Sequence, residues 1–145
     1  MNLSATYTFD APCERVWALL MNTTAVGDCL PGSRGLRPIG DDRYEVDLSM
    51  TVAAISGDFK GTVALTDQDP PRAYKLVVEG SGRPGFVKGH ALVTLVPEGT
   101  QTLVQIAAQA DAGGMIARVG QRLLEGVARM TMDRFFGCLA RRIAS

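Results

Sequence analysis

One histidine, one tryptophan, three cysteines, 6% aromatic residues and no formal net charge set this 145-residue chain apart by what it lacks. Each scarcity removes a class of function. A Ser-His-Asp or Cys-His nucleophile system would have to use His90. That residue shares a strand face with Lys88 and Thr94, opposite Val87, Ala91, Val93 and Leu95, and reads as a surface position. Clustered histidines and cysteines at zinc spacing are missing. So are G-x-G-x-x-G and the phosphate-binding P-loop. Asp41, Asp42, Asp67 and Asp69 stand in turn contexts, where aspartate serves the backbone. No catalytic residue, metal ligand or covalently bound cofactor is therefore assigned. Balanced charge excludes a nucleic-acid footprint spread over the whole surface. No apolar run reaches the roughly 18 residues of a membrane span. Met1-Asn2-Leu3-Ser4 has neither a basic region nor an apolar core, so no signal peptide is expected. Cys13, Cys29 and Cys138 are odd in number and form no C-x-x-C pair, which reads as reduced thiols in the cytoplasm.

What is present is a change of period along the chain. Leu3 to Phe9 alternates as a first strand. Pro12 then opens a short amphipathic helix, Glu14 to Leu20, because its missing N–H would be unbonded there anyway. Asn22-Thr23-Thr24 breaks that helix and caps a second one reaching about Cys29, closed by the turn Leu30-Pro31-Gly32-Ser33. From there the period is two. Arg43 to Met50, Gly57 to Thr66, Tyr74 to Glu79, Val87 to Val96 and Thr102 to Ala110 read as strands. Asp67 to Arg72, Gly80 to Gly85 and Pro97 to Thr100 read as turns between them, making an antiparallel meander.

After Gly113-Gly114 the spacing turns helical again, from about Met115 to Ile143. Ile116, Leu123, Val127 and Met130 fall on one side, and Arg118, Arg122, Glu125, Arg129 and Asp133 on the other. Such a helix is about 40 Å long and needs a curved sheet to cover its apolar side. The order predicts a single α+β domain over residues 1–145 with a helix-grip fold: a curved antiparallel sheet of about six to seven strands around one long C-terminal helix, with two short helices after the first strand.

Sixteen glycines raise the question of where the space they leave lies. One face of the later strands carries Gly61, Val63, Gly89, Ala91, Val93, Ala108 and Ala110, and Gly120 lies in the helix's apolar stripe. Interiors pack to near-crystalline density, so small residues on both sides mean either close helix–sheet contact or room for an apolar ligand. Phe59, Val63, Phe86, Ala91, Leu123, Val127, Met130 and Arg134 are the candidate lining residues. Arg134, in the middle of the apolar stripe, is placed either at the mouth, snorkelling to solvent, or on the polar end of a ligand. Phe136, Leu139, Ala140 and Ile143 form a second apolar stripe. The short helices are expected to cover it, Trp17 included; the alternative is a docking patch for a partner or membrane.

Several stretches resemble the carbon monoxide dehydrogenase G-subunit family of the START-like superfamily, which includes polyketide cyclases and lipid-transfer proteins. They are Phe9-Asp10-Ala11-Pro12, Arg15-Val16-Trp17-Ala18-Leu19-Leu20, Cys29-Leu30-Pro31-Gly32, Gly57-Asp58-Phe59-Lys60-Gly61, Asp69-Pro70-Pro71, Gly85-Phe86-Val87-Lys88-Gly89 and Gly126-Val127-Ala128-Arg129. The resemblance implies a non-enzymatic accessory protein of a molybdenum-containing hydroxylase. It would bind a quinone or lipid in an apolar cavity and link the enzyme to the membrane. The chain stops at Ser145 without the anchoring extension that some members carry, so peripheral contact at the inner face of the membrane is the expectation. Two alternatives stand beside it. One is a cyclase or hydratase using Arg134 with Tyr44 or Tyr74; the other is a docking factor with no ligand, using Phe136, Leu139 and Ile143.

Overall fold

A computed structural model of the chain describes residues 1–51 and 56–144. Strand β1 (Asn2–Phe9) is followed by helices α1 (Cys13–Leu20) and α2 (Thr23–Cys29). Pro12 stands at the N-cap of α1, with its carbonyl accepting from Arg15 and Val16. Asn22 caps α2 by accepting a hydrogen bond from the Ala25 amide at 3.1 Å. That bond satisfies one of the donors left orphaned at a helix start. Six strands follow: β2 (Ser33–Gly40), β3 (Arg43–Met50), β4 (Gly57–Asp69), β5 (Ala73–Gly82), β6 (Gly85–Glu98) and β7 (Gln101–Gly113). A 3₁₀ turn (Gly114–Val119) then leads into the terminal helix α3 (Gln121–Ala144).

The seven strands form one antiparallel sheet in the order β1-β7-β6-β5-β4-β3-β2. β1 and β2 are its edges. Strand β2 is not expected from sequence, because Ser33-Arg34-Gly35-Leu36-Arg37-Pro38-Ile39-Gly40 lacks an alternating apolar face and contains a proline. Proline is tolerated there because an edge strand has a spare side with no ladder bond to lose. Two expected turns are shorter than the sequence suggests. Gly80 and Gly82 pair within the sheet, and only Arg83 and Pro84 separate β5 from β6. β4 likewise runs on to Asp69, past an irregular register after Thr66, with Asp67 at a φ of 51°.

Register assigns the faces. Leu48, Val46 and Tyr44 on β3 stand beside Phe59, Gly61 and Val63 on β4, and these beside Gly82, Gly80 and Val78 on β5. That row faces α3 and carries the small residues picked out in the sequence. The outer face carries Glu45, Lys60, Glu79, Lys88 and His90.

The main core lies where α1, α2 and the C-terminal half of α3 meet the sheet. Phe9, Val16, Leu20, Val93, Val104, Phe136, Leu139 and Ile143 are all buried in it, with Trp17 packed alongside. The Phe136–Leu139–Ile143 stripe is thus covered by the short helices and the sheet, and the docking alternative loses its surface. Thr102, wholly buried, locks β7 to the start of α1 by donating to the Ala11 carbonyl at 2.8 Å. Cys29 and Cys138 are joined as a disulfide between α2 and α3, and Cys13 is a buried free thiol. The expectation of three reduced thiols is therefore wrong for two of them. The bridge joins residues 109 apart, which spacing in sequence could not reveal. It also removes the ground that free thiols offered for a cytoplasmic location.

Candidate functional site

Gly120 decides where the terminal helix begins. Its φ of +97° is open to glycine at little cost, and it separates the 3₁₀ turn from α3. The expected helix from Met115 is therefore shorter by more than a turn, and Gly120 lies outside its apolar stripe. The turn buries Ile116 and holds it near the β5–β6 hairpin, where the Ile116 amide donates to the Pro84 carbonyl at 2.7 Å. Ile116, Phe59 and Val127 form a second, smaller core, with Leu48, Met50, Val87, Ala112, Val119 and Leu124 against it.

Beside this small core runs a groove of about 580 Å³. Among the described residues, Val119, Arg122, Leu123, Gly126, Val127 and Met130 line it. Leu123 and Met130 are 41% and 36% exposed, and Met115, on the 3₁₀ turn, is 58% exposed. A Cβ built on Gly126 would meet nothing within 4 Å, so the absent side chain leaves this flank open. The concave face of the sheet is also incompletely filled. Tyr44, Leu48, Val63, Leu65, Leu76 and Val78 point toward α3 yet remain only half-buried. The backbone of α3 comes closest to α2, β1 and the 3₁₀ turn, leaving the central strands less covered.

The eight residues expected to line a pocket divide accordingly. Leu123, Val127 and Met130 share the groove, and Phe59 packs with Val127. Val63 lies on the concave face, and Ala91 belongs to the main core. Phe86 does not face inward. It alternates with Val87 onto the outer face, 47% exposed, where its ring covers Gly113 so closely that a Cβ there would collide with it. Arg134 is exposed on α3 rather than held among apolar residues. Arg122 and Val119 line the groove without being expected there. Arg122 falls on the polar side of a wheel drawn through Met115, and the groove opens along the border between the two sides.

Chemistry beyond binding has little to work with. Among the described residues, no group of three or more His, Cys, Asp or Glu is placed to hold a metal ion. His90 is exposed on the outer face, as its strand pattern suggested. Tyr74 is buried edge-on against Trp17, ring centroids 5.5 Å apart, and burial pushes its phenol pKa up, so it stays protonated. With Arg134 exposed, the buried acid–base pair required by the cyclase alternative is not assembled. A trough of about 560 Å³ on the outer face, between Glu45, Lys60, Thr62, Glu79, Ser81 and Lys88, mixes both charge signs and reads as a solvated surface. No helix among the described residues is long and apolar enough to cross a membrane, which leaves β-barrels unaddressed.

A family model for the G subunit of carbon monoxide dehydrogenase (CoxG) matches residues 6–144. A conserved protein from Geobacillus kaustophilus is 34% identical and superposes with a TM-score of 0.96, covering 99% of this chain and 95% of its own. A START superfamily protein from Mycobacterium smegmatis has the same fold at 15% identity, TM-score 0.77, with 99% and 97% coverage. The Zhui aromatase/cyclase from Streptomyces sp. R1128 shares it at 16% identity, TM-score 0.68, with 99% and 93% coverage. No curated protein matches.

Proposed function

From the premise that this chain belongs to the CoxG family of carbon monoxide dehydrogenase and has the START-like, helix-grip fold, we propose a non-enzymatic carrier of a lipophilic molecule. The carrier serves a molybdenum-containing hydroxylase of the carbon monoxide dehydrogenase type and meets the membrane peripherally. Its cargo is a quinone or a lipid, taken up in the groove beside α3 and extending toward the concave face.

One observation carries this reading: a groove along α3 keeps Leu123 and Met130 exposed, while apolar residues on the inner side of the sheet stay only half-buried. Burying about 400 Å² of apolar ligand surface there is worth roughly 10 kcal/mol gross. Lost translational and rotational freedom consumes several kcal/mol of it. The remainder, about 6 kcal/mol or less, corresponds to an affinity of roughly tens of micromolar or weaker, loose enough for handover.

The test is organic extraction of gently purified protein followed by mass spectrometry. A stoichiometric quinone or lipid supports the proposal, whereas an empty extract with no response to added quinones or lipids removes it. Leu123→Trp, at an exposed position on the groove, is expected to fill it and abolish uptake in a protein that still folds. Unchanged uptake by folded Leu123→Trp protein would put the ligand elsewhere.

A further inference from the structure

We infer that the groove selects an amphiphile with an anionic head, carboxylate or phosphate, and that Arg122 holds the head. This rests on the carrier reading and names the chemistry of the cargo. Of the six described lining residues, Val119, Leu123, Val127 and Met130 bring apolar surface and Gly126 brings bare backbone. Arg122 brings the single charge. It stands in the first turn of α3, a turn with no acidic residue, where the helix's own partial positive charge makes a cation unfavourable. Among the described residues no ion pair engages it. Glu125, three positions on, instead accepts a hydrogen bond from Gln121 at 3.1 Å. Arg122 is thus a cation left available at the edge of an apolar groove.

From Arg122 to Met130 the helix rises about 12 Å, so a chain laid along Leu123, Val127 and Met130 brings one end to the guanidinium. A carboxylate or phosphate there would make charge-assisted hydrogen bonds in the fork geometry that arginine offers. A neutral head of the same chain length would not. Because Arg122 is exposed, solvent and salt limit the discrimination to a modest factor, about fivefold.

The experiment titrates the full chain with dodecanoic acid, dodecyl phosphate and dodecanol, each below its aggregation concentration, at low and high salt. The expected result is that both anions bind about fivefold tighter than the alcohol, with the gap narrowing in salt. The tighter anion shows whether the head is a carboxylate or a phosphate. Arg122→Gln is expected to bring the anions down to the level of the alcohol, and Arg122→Lys to keep most of the gap. Gly126→Trp, which projects into open space, is expected to keep the fold by circular dichroism and lose all three probes. Equal binding of acid and alcohol to the native chain, or a gap that survives Arg122→Gln, overturns the inference and leaves the carrier reading standing. Binding that survives Gly126→Trp overturns the placement of the head at this groove. Failure of all three probes on the native chain overturns the inference, and the carrier reading then stands or falls by the extraction and the response to added quinones.

Discussion

Gly126 shows how a single residue separates stability from function. It lies inside α3, where glycine costs about 0.5–1 kcal/mol against alanine. A Cβ would meet nothing there. Gly126→Ala is therefore expected to stabilise the protein by about that amount in urea denaturation while narrowing the groove only slightly. Thr102 is the opposite case, wholly buried and donating to the Ala11 carbonyl. Thr102→Val should cost about 1–3 kcal/mol in the same measurement, because a buried acceptor loses its donor. Residue-level signals also account for where Phe86 and Arg134 lie. Phe86 attracts an inward assignment by its aromatic ring, although period two puts it on the face of Lys88 and His90. Arg134 falls in the apolar stripe one turn beyond Met130, and that stripe is itself exposed at this level of the helix, so the guanidinium reaches solvent.

At the level of elements, edges and ends are the least legible. The strand pair β2–β3 is held on its outer side by Arg37, which donates to Glu45 at 2.6 Å and to Asp47 at 2.9 Å. The hydrogen bond from Arg37 is the main cause holding the Asp47 carboxyl below its ordinary value. A depressed folded value means this contribution is present above the usual carboxylate range and is lost as pH falls through the depressed one. Arg37→Gln should return the Asp47 pKa toward 3.8, followed by carbon-detected NMR titration, with little other change in the fold. An unshifted Asp47 in that variant would show that another group sets its value. Across the molecule, Tyr7 of β1 donates to Asp133 of α3 at 2.7 Å and stacks on Phe136, tying the sheet edge to the helix. Burial first, and Asp133 second, push the Tyr7 phenol up. Its contribution is therefore present below the ordinary tyrosine range and lost only at strongly alkaline pH.

For the whole molecule, the Cys29–Cys138 bridge closes most of the chain into a loop. Loop-closure entropy makes it worth about 2–5 kcal/mol, so a reducing agent should lower stability by that much in paired urea melts with and without reductant. Thiol titration of the unfolded, unreduced protein is expected to find a single reactive cysteine, Cys13. Two further thiols would show that the bridge is not formed. The Arg142–Asp28 ion pair joins the same two helices at 2.9 Å, but both side chains are exposed and it adds little to the tie.

Sequence alone determined the fold, because fold here follows from periodicity: one strand, two short helices, a run of period-two segments and a terminal helix. It also marked the small-residue face of the sheet, since Gly61 and Val63 flank Thr62, and Gly89 and Ala91 flank His90, whatever packs above them. Tertiary structure alone decided which helix residues face that sheet. The roll of α3 is set by Gly120, by the disulfide to α2 and by the contacts of Tyr7 with Phe136 and Asp133, all spanning long separations or lying outside the helix. Arg122 stands about 100° round the helix from Leu123 and still borders the groove, whereas Arg134 shares the stripe of Val127 and Met130 yet lies a turn beyond the groove, exposed. Local pattern has no information about that roll.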